Sequence, residues 1–197
     1  MTIAPAIYLV DDDSAILDSL GFLMESYGLP LTPYNDGERF LQEVDLSQPG
    51  CVILDSRMPG LSGQDLQRRL VAANSPLAVI FLTGHGDVPM AVDAFKSGAF
   101  DFFQKPVKGQ DLAAALRKGL EHSQSRFDQQ QQRARLDSLS EREREVFKLV
   151  IKGHTNKQMA DSLCVAVRTI EVHRANLMKK LEVDSLAALM QFANLDT

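Results

Sequence analysis

Over roughly the first 120 residues, short apolar runs alternate with stretches of helical periodicity. Ala6 to Val10 reads as a buried strand that stops at Asp11-Asp12-Asp13. Ser14 to Tyr27 then repeats apolar residues at helical spacing (Ile16, Leu17, Leu20, Leu23, Met24) and ends at Gly28. Leu29 to Tyr34, with two prolines, suits an edge strand. Gly37 to Val44 predicts a short helix, Cys51 to Leu54 a second strong strand, and Leu61 to Ala73 another helix. Leu77 to Leu82 predicts a strand, and Pro89 to Ser97 a helix with Asp87 as its N-cap and Gly98 beyond its end. Phe100 to Phe103 is the fifth strand, and a fifth helix begins near Gly109. Five strands alternating with five helices imply a doubly wound α/β fold, a five-stranded parallel sheet with helices on both faces.

The fifth helix has no evident stop, because 111–137 holds no Pro and only Gly119. Leu116, Leu120 and Phe127 form a thin apolar stripe, so Arg126 to Asp137 is expected to be a solvated helical linker. A paired coiled coil is the alternative, but sustained heptads are missing. Ser140 with Glu143 makes a capping box, and short helices are expected at about 141–152, 156–163, 167–181 and 185–193. The expected division is 1–122, a linker 123–137, and a small all-α domain 138–197.

Of the 197 residues, 45% are apolar and 24% charged, an ordinary globular balance. No stretch approaches the ~20 apolar residues of a membrane span. The first residues carry no basic cluster, so a secretory leader is not expected. Cys51 and Cys164 are too few for a disulfide scaffold or cysteine-rich zinc module; both are expected to be buried in a reducing cytoplasm. The net charge of −5 hides an asymmetry: residues 1–125 carry 16 acids and 9 bases, whereas 146–182 carry 7 bases and 3 acids. Two domains with different partners are implied.

Ligands of a parallel sheet collect at the carboxyl ends of its strands. Asp11 and Asp12 follow the first strand, Asp55 the third, Thr83 the fourth and Lys105 the fifth. Crowded carboxylates repel one another unless a cation joins them, and an all-oxygen set suits magnesium. A lysine and a hydroxyl beside it suit a phosphoryl group, and one carboxylate could become an aspartyl phosphate. Surface caps are the bland alternative, which fits Asp13 but not five such residues ending four strands.

The stretches Leu9-Val10-Asp11-Asp12-Asp13, Leu54 to Gly60, Phe81 to Met90 and Asp101 to Pro106 resemble the receiver domains of two-component response regulators, with a flavodoxin-like fold. The resemblance implies that Asp55 is the phosphoacceptor and that Asp11, Asp12, Asp55 and the Arg57 carbonyl hold Mg2+, Asp12 directly. It implies that Thr83 and Lys105 bind the phosphoryl group and that Phe102 is a switch aromatic; a plain core role for Phe102 stays open. Arg57 and His85 flank the site, His85 as a loop residue at its mouth.

In the second domain, Thr155 caps a helix from Asn156 to Leu163, and four residues turn the chain into Arg168 to Leu181. That is the helix-turn-helix pattern. Val167, Ile170, Leu177 and Leu181 are expected to pack inward, with Arg168, Glu171, Val172, Ala175 and Lys179 on the opposite face. Lys157, Arg168, Lys179 and Lys180 would neutralise phosphates, Arg174 would reach a base or a phosphate, and Thr169 joins the DNA contacts. Leu139 to Glu145, Gly153, Asn156-Lys157 and Arg168 to Arg174 resemble the quorum-regulator type of helix-turn-helix domain. Ala166-Val167 departs from the Ser-Pro that the family often places there, at a cost of about 1 kcal/mol. His154 and His173 are isolated from further ligands and fit packing or phosphate contacts better than a metal.

The order of the two halves resembles the nitrogen-fixation type of response regulator, and Leu77 to Val92, Gln104 to Val107 and Val165 to Arg168 also resemble regulators of tetrathionate respiration. The resemblance implies a cytoplasmic transcription factor, not an enzyme beyond its own phosphoryl transfer and slow autodephosphorylation. Its expected partners are a sensor histidine kinase, double-stranded promoter DNA, RNA polymerase and, once phosphorylated, a second copy through the fourth helix and fifth strand (about Val88 to Phe103). A magnesium phosphohydrolase would need a cap or substrate pocket, for which no insertion is evident. A degenerate receiver would lack some of Asp12, Asp55, Thr83 and Lys105.

Overall fold

The computed structural model describes residues 5–84 and 88–195. The chain divides into two compact units, 1–127 and 128–197. The first unit runs β1 (Ala6–Val10), α1 (Ser14–Ser26), β2 (Thr32–Tyr34), α2 (Gly37–Glu43), β3 (Gly50–Leu54), α3 (Gly63–Ala72), β4 (Ala78–Thr83), α4 (Val88–Lys96) and β5 (Asp101–Gln104). The strands form one parallel sheet in the order β2-β1-β3-β4-β5. The edge strand β2 is shorter than its apolar run suggested, because Leu29 instead binds back to the Met24 carbonyl.

Side chains of β3 alternate between two cores. Cys51 and Ile53 pack with Ile7, Leu9, Met24, Leu112 and Leu116 on one face. Val52 and Leu54 pack with Phe40, Leu66, Phe81 and Ala94 on the other. This period of two on a doubly covered sheet explains why the central strands read as unbroken apolar runs. Gly28 ends α1 with φ of +72°, a conformation that favours glycine. Gly63 opens α3 so close to the sheet that a Cβ would lie 2.2 Å from the Asp55 carbonyl oxygen. The site loop is thereby tied to α3.

Helix α5 is continuous from Gly109 to Asp137. Its residues 128–137 are mostly exposed or half-exposed, except Leu136, which is buried in the second core. The expectation of a wholly solvated linker is corrected there. The second unit continues with α6 (Glu141–Ile151), α7 (Asn156–Leu163), α8 (Val167–Lys180) and α9 (Leu186–Leu189). A 3-10 helix over Met190–Leu195 replaces the last turn of the expected final helix and runs two residues beyond it. Capping boxes open both α6 and α7, whereas Ala166 offers α8 no side-chain cap. Val146, Phe147, Met159, Ile170, Leu177, Leu181 and Phe192 form the core. Among the described residues, no helix is long and apolar enough to cross a membrane.

Candidate functional site

The strand order reverses between β1 and β3, and such a switch point opens a crevice at the strand ends. Asp11 and Asp55 stand there, 2% and 7% exposed. Lys105, one residue past β5, reaches back between them. Its Nζ donates to Asp11 Oδ2 at 2.6 Å and to Asp55 Oδ1 at 3.1 Å. The remaining oxygens are also engaged: Asp11 Oδ1 accepts from the Asp13 amide at 3.0 Å, and Asp55 Oδ2 from the Arg57 amide at 2.8 Å. Burial alone would lower the Lys105 pKa. The hydrogen bonds and charges of Asp11 and Asp55 outweigh it and hold the ammonium above the ordinary lysine range.

Not every expected site residue joins this cluster. Asp12 and Arg57 are exposed, and Asp13 caps α1 by accepting from the Ala15 amide. His85 and the expected N-cap Asp87 lie outside the described residues. Among the described residues, no three His, Cys, Asp or Glu side chains are grouped as a metal ion would need. The structure thus brings two of the expected carboxylates together around an ammonium and leaves Asp12 apart. The donor set nonetheless fits a hard cation by type, since every candidate ligand is oxygen. Thr83 is 1% exposed. Its Oγ1 accepts from Ser56 Oγ at 2.5 Å. Ser56 was not a sequence-based candidate, because its pairing depends on the register between β3 and β4. Phe102 is half-buried, its ring centroid 6.2 Å from that of Phe81.

In the second unit, α8 packs against both α6 and α7. Cys164 joins α7 to the turn in a left-handed conformation, φ 53°, and is exposed. The expectation that it is buried is corrected; the tight turn carries this residue on its outside. Ile170, Leu177 and Leu181 are fully buried as expected, but Val167 is 42% exposed. Val167 is the first residue of α8, and full burial begins one turn later at Ile170. Arg168, Glu171, Val172, Ala175 and Lys179 are all exposed, as is Lys157, while Thr169 and Arg174 are half-buried.

Residues 7–117 match the response regulator receiver domain family, and residues 137–193 match bacterial regulatory proteins of the luxR family. The chain belongs to the two-component response regulators. Among its relatives is the tetrathionate response regulatory protein TtrR of Salmonella typhimurium, 45% identical over 185 residues that cover 94% of this chain and 90% of the relative. Another is the transcriptional regulatory protein FixJ of Bradyrhizobium diazoefficiens, 43% identical over 98% of this chain and 96% of the relative. The solved structure of the response regulator StyR is similar with a TM-score of 0.74 and 40% identity, covering 98% of this chain and all of that one. This response regulator is a transcriptional regulator with a luxR-type DNA-binding domain; its family is not one of classical enzymes.

Two residues of this response regulator's expected DNA face have protein partners. Lys180 Nζ donates to Glu143 Oε2 at 2.7 Å and to the Ser138 carbonyl at 3.3 Å. Glu143 is only 5% exposed, and a buried charge is costly unless paired. The Lys180 charge, expected to serve a phosphate, neutralises Glu143 in this structure. Burial raises the Glu143 pKa, but the bonds from Lys180 and Ser140 outweigh this and hold the carboxyl below the ordinary glutamate range. Arg174 Nη1 donates to Asn156 Oδ1 at 2.5 Å, which ties α8 to the first residue of α7.

Proposed function

We propose that this response regulator is switched by phosphorylation of Asp55 and, once switched, binds promoter DNA as a dimer. The observation that carries the reading is Lys105, bonded to both buried carboxylates at the switch point of the sheet. An Asp55 oxygen attacks the phosphorus of a phosphohistidine on a sensor kinase. The P–N bond breaks, the imidazole departs, and an acyl phosphate forms. Lys105 is already within bonding distance of Asp55 Oδ1, so its ammonium can follow charge onto the phosphoryl oxygens. Receiver domains generally bind Mg2+ at an acidic pocket. Here Asp11, Asp12, Asp55 and the Arg57 carbonyl would hold it, and it would neutralise the charge of the incoming group.

Thr83 then turns its hydroxyl to the phosphoryl group, and Phe102 follows into the space released. The α4–β5 face repacks and joins two chains about a two-fold axis. Phe95 and Val92 of α4 are 48% and 43% exposed, which gives that face apolar area to bury. Two copies of α8 then meet two half-sites, with Arg168, Thr169, Glu171, Val172 and Ala175 at base edges. Lys157, Lys179 and Arg174 would lie at phosphates or the groove edge. The reading places the protein in the cytoplasm, with RNA polymerase as a further partner. The decisive experiment titrates promoter DNA with and without a phosphodonor. Wild-type protein gains affinity and Asp55→Asn does not; equal stimulation of the two proteins would refute the switch.

A further inference from the structure

We infer that Ser56 is a positioning residue for this switch: its hydroxyl holds Thr83 in the resting arrangement and sets how readily the receiver is activated. The inference rests on the reading of Asp55 as phosphoacceptor. Ser56 and Thr83 are both 1% exposed, and Ser56 Oγ lies 2.5 Å from Thr83 Oγ1. Leu54 of β3 is the register partner of Phe81 of β4, so Ser56 and Thr83 stand level with each other one strand period further along.

The alternation of the strands places this pair on a definite side. Val52, Leu54, Val79 and Phe81 all belong to the core shared with Ala94 of α4 and with the partly buried Phe102. Continuing that period by one step puts Ser56 and Thr83 on the α4 side of the sheet. The Asp55 carboxylate, by contrast, takes its bonds from Lys105 and the Arg57 amide. For Thr83 to donate to a phosphoryl group on Asp55, its Oγ1 must swing from the α4 side toward that carboxylate, and the move carries it away from the Ser56 donor. A donor buried this deeply cannot exchange Thr83 for water, so breaking the bond carries its full cost. Ser56 therefore stabilises the resting state relative to the active one, by an amount on the order of one net hydrogen bond. That corresponds to about a fivefold change in the activation equilibrium.

The test uses the full chain with magnesium and the phosphoryl mimic beryllofluoride, followed by fluorine NMR. Ser56→Ala lowers the half-saturating beryllofluoride concentration about fivefold. Ser56→Cys, a weak donor of similar size, shifts it in the same direction and serves if the alanine variant does not fold. In a Thr83→Ala background the Ser56 substitution has no further effect, a dependence that mere support of the loop would not produce. In the metal-free, unliganded chain, the Thr83 methyl resonance of Ser56→Ala moves toward its beryllofluoride-bound position. The inference is overturned if both Ser56 variants leave the half-saturating concentration unchanged or raise it. It is also overturned if their effect persists in full without the Thr83 hydroxyl. Uptake by wild-type protein with silent Ser56 variants sinks the Ser56 role alone. No uptake by wild-type protein sinks the aspartyl-phosphate reading and this inference with it.

Discussion

Two buried carboxylates sharing one ammonium explain why Lys105 sits where it does. Asp11 and Asp55 both lie at the ends of central strands with little water, and without a cation between them they would repel. These residues were legible as candidates because each directly follows an apolar run, and the end of a strand is visible in one dimension. Ser56 was not, since only the register between β3 and β4 sets it beside Thr83. The two cysteines make the same point: identical residues acquire opposite environments. Burial pushes the Cys51 thiol up to about 12, while Cys164 is exposed on the turn before α8. A thiol reagent at neutral pH should therefore label one cysteine per native chain and two after unfolding. Rapid native labelling of both, read by mass spectrometry, would contradict the buried position of Cys51.

At the scale of the element, α8 starts without a cap. Ala166 stands at its N-cap with no side-chain hydrogen bond, whereas Thr155 and Ser140 close full capping boxes on α7 and α6. Ala166→Ser should stabilise the second domain by about 1 kcal/mol. In a domain of this size that is roughly 4–8 °C in calorimetric Tm. An unchanged Tm would mean that packing already fixes the first turn. Helix α6 carries the opposite arrangement: Glu143 caps its own N-terminus and binds Lys180 at the end of α8. Its folded pKa lies below its unfolded one, so this stabilisation is present above the ordinary glutamate range and lost as pH falls through the depressed value. Thermal melts of the second domain should show that loss on acidification. Glu143→Gln should flatten this part of the pH dependence, and a parallel curve for the variant would remove Glu143 as its source.

Across the whole molecule, the cores of the two units do not divide where composition suggested. A polar run through 129–132 looks like a boundary, yet Leu136 four residues on is 2% exposed among Val146, Phe147 and Leu177. The end of α5 thus belongs to the second core, and Arg135 also pairs with Glu182 at 2.7 Å. A fragment 128–197 should be more stable than one beginning at 138, by roughly 3 kcal/mol for the lost leucine. Equal denaturation midpoints for the two fragments would show that Leu136 adds nothing.

Strand and helix periods, turn glycines and the reactive residues that end each strand were all written in one dimension. They determined a parallel α/β domain, a helical domain after it and the candidate carboxylates, because local sterics and periodic burial act between near neighbours in the chain. The lysine bridge from β5 to β1 and β3, the Ser56–Thr83 bond, the pairing of Lys180 with Glu143 and the burial of Leu136 were decided only in three dimensions. Each joins groups from different elements, and buried groups take whichever partner satisfies them once water is excluded, however far apart they lie in sequence.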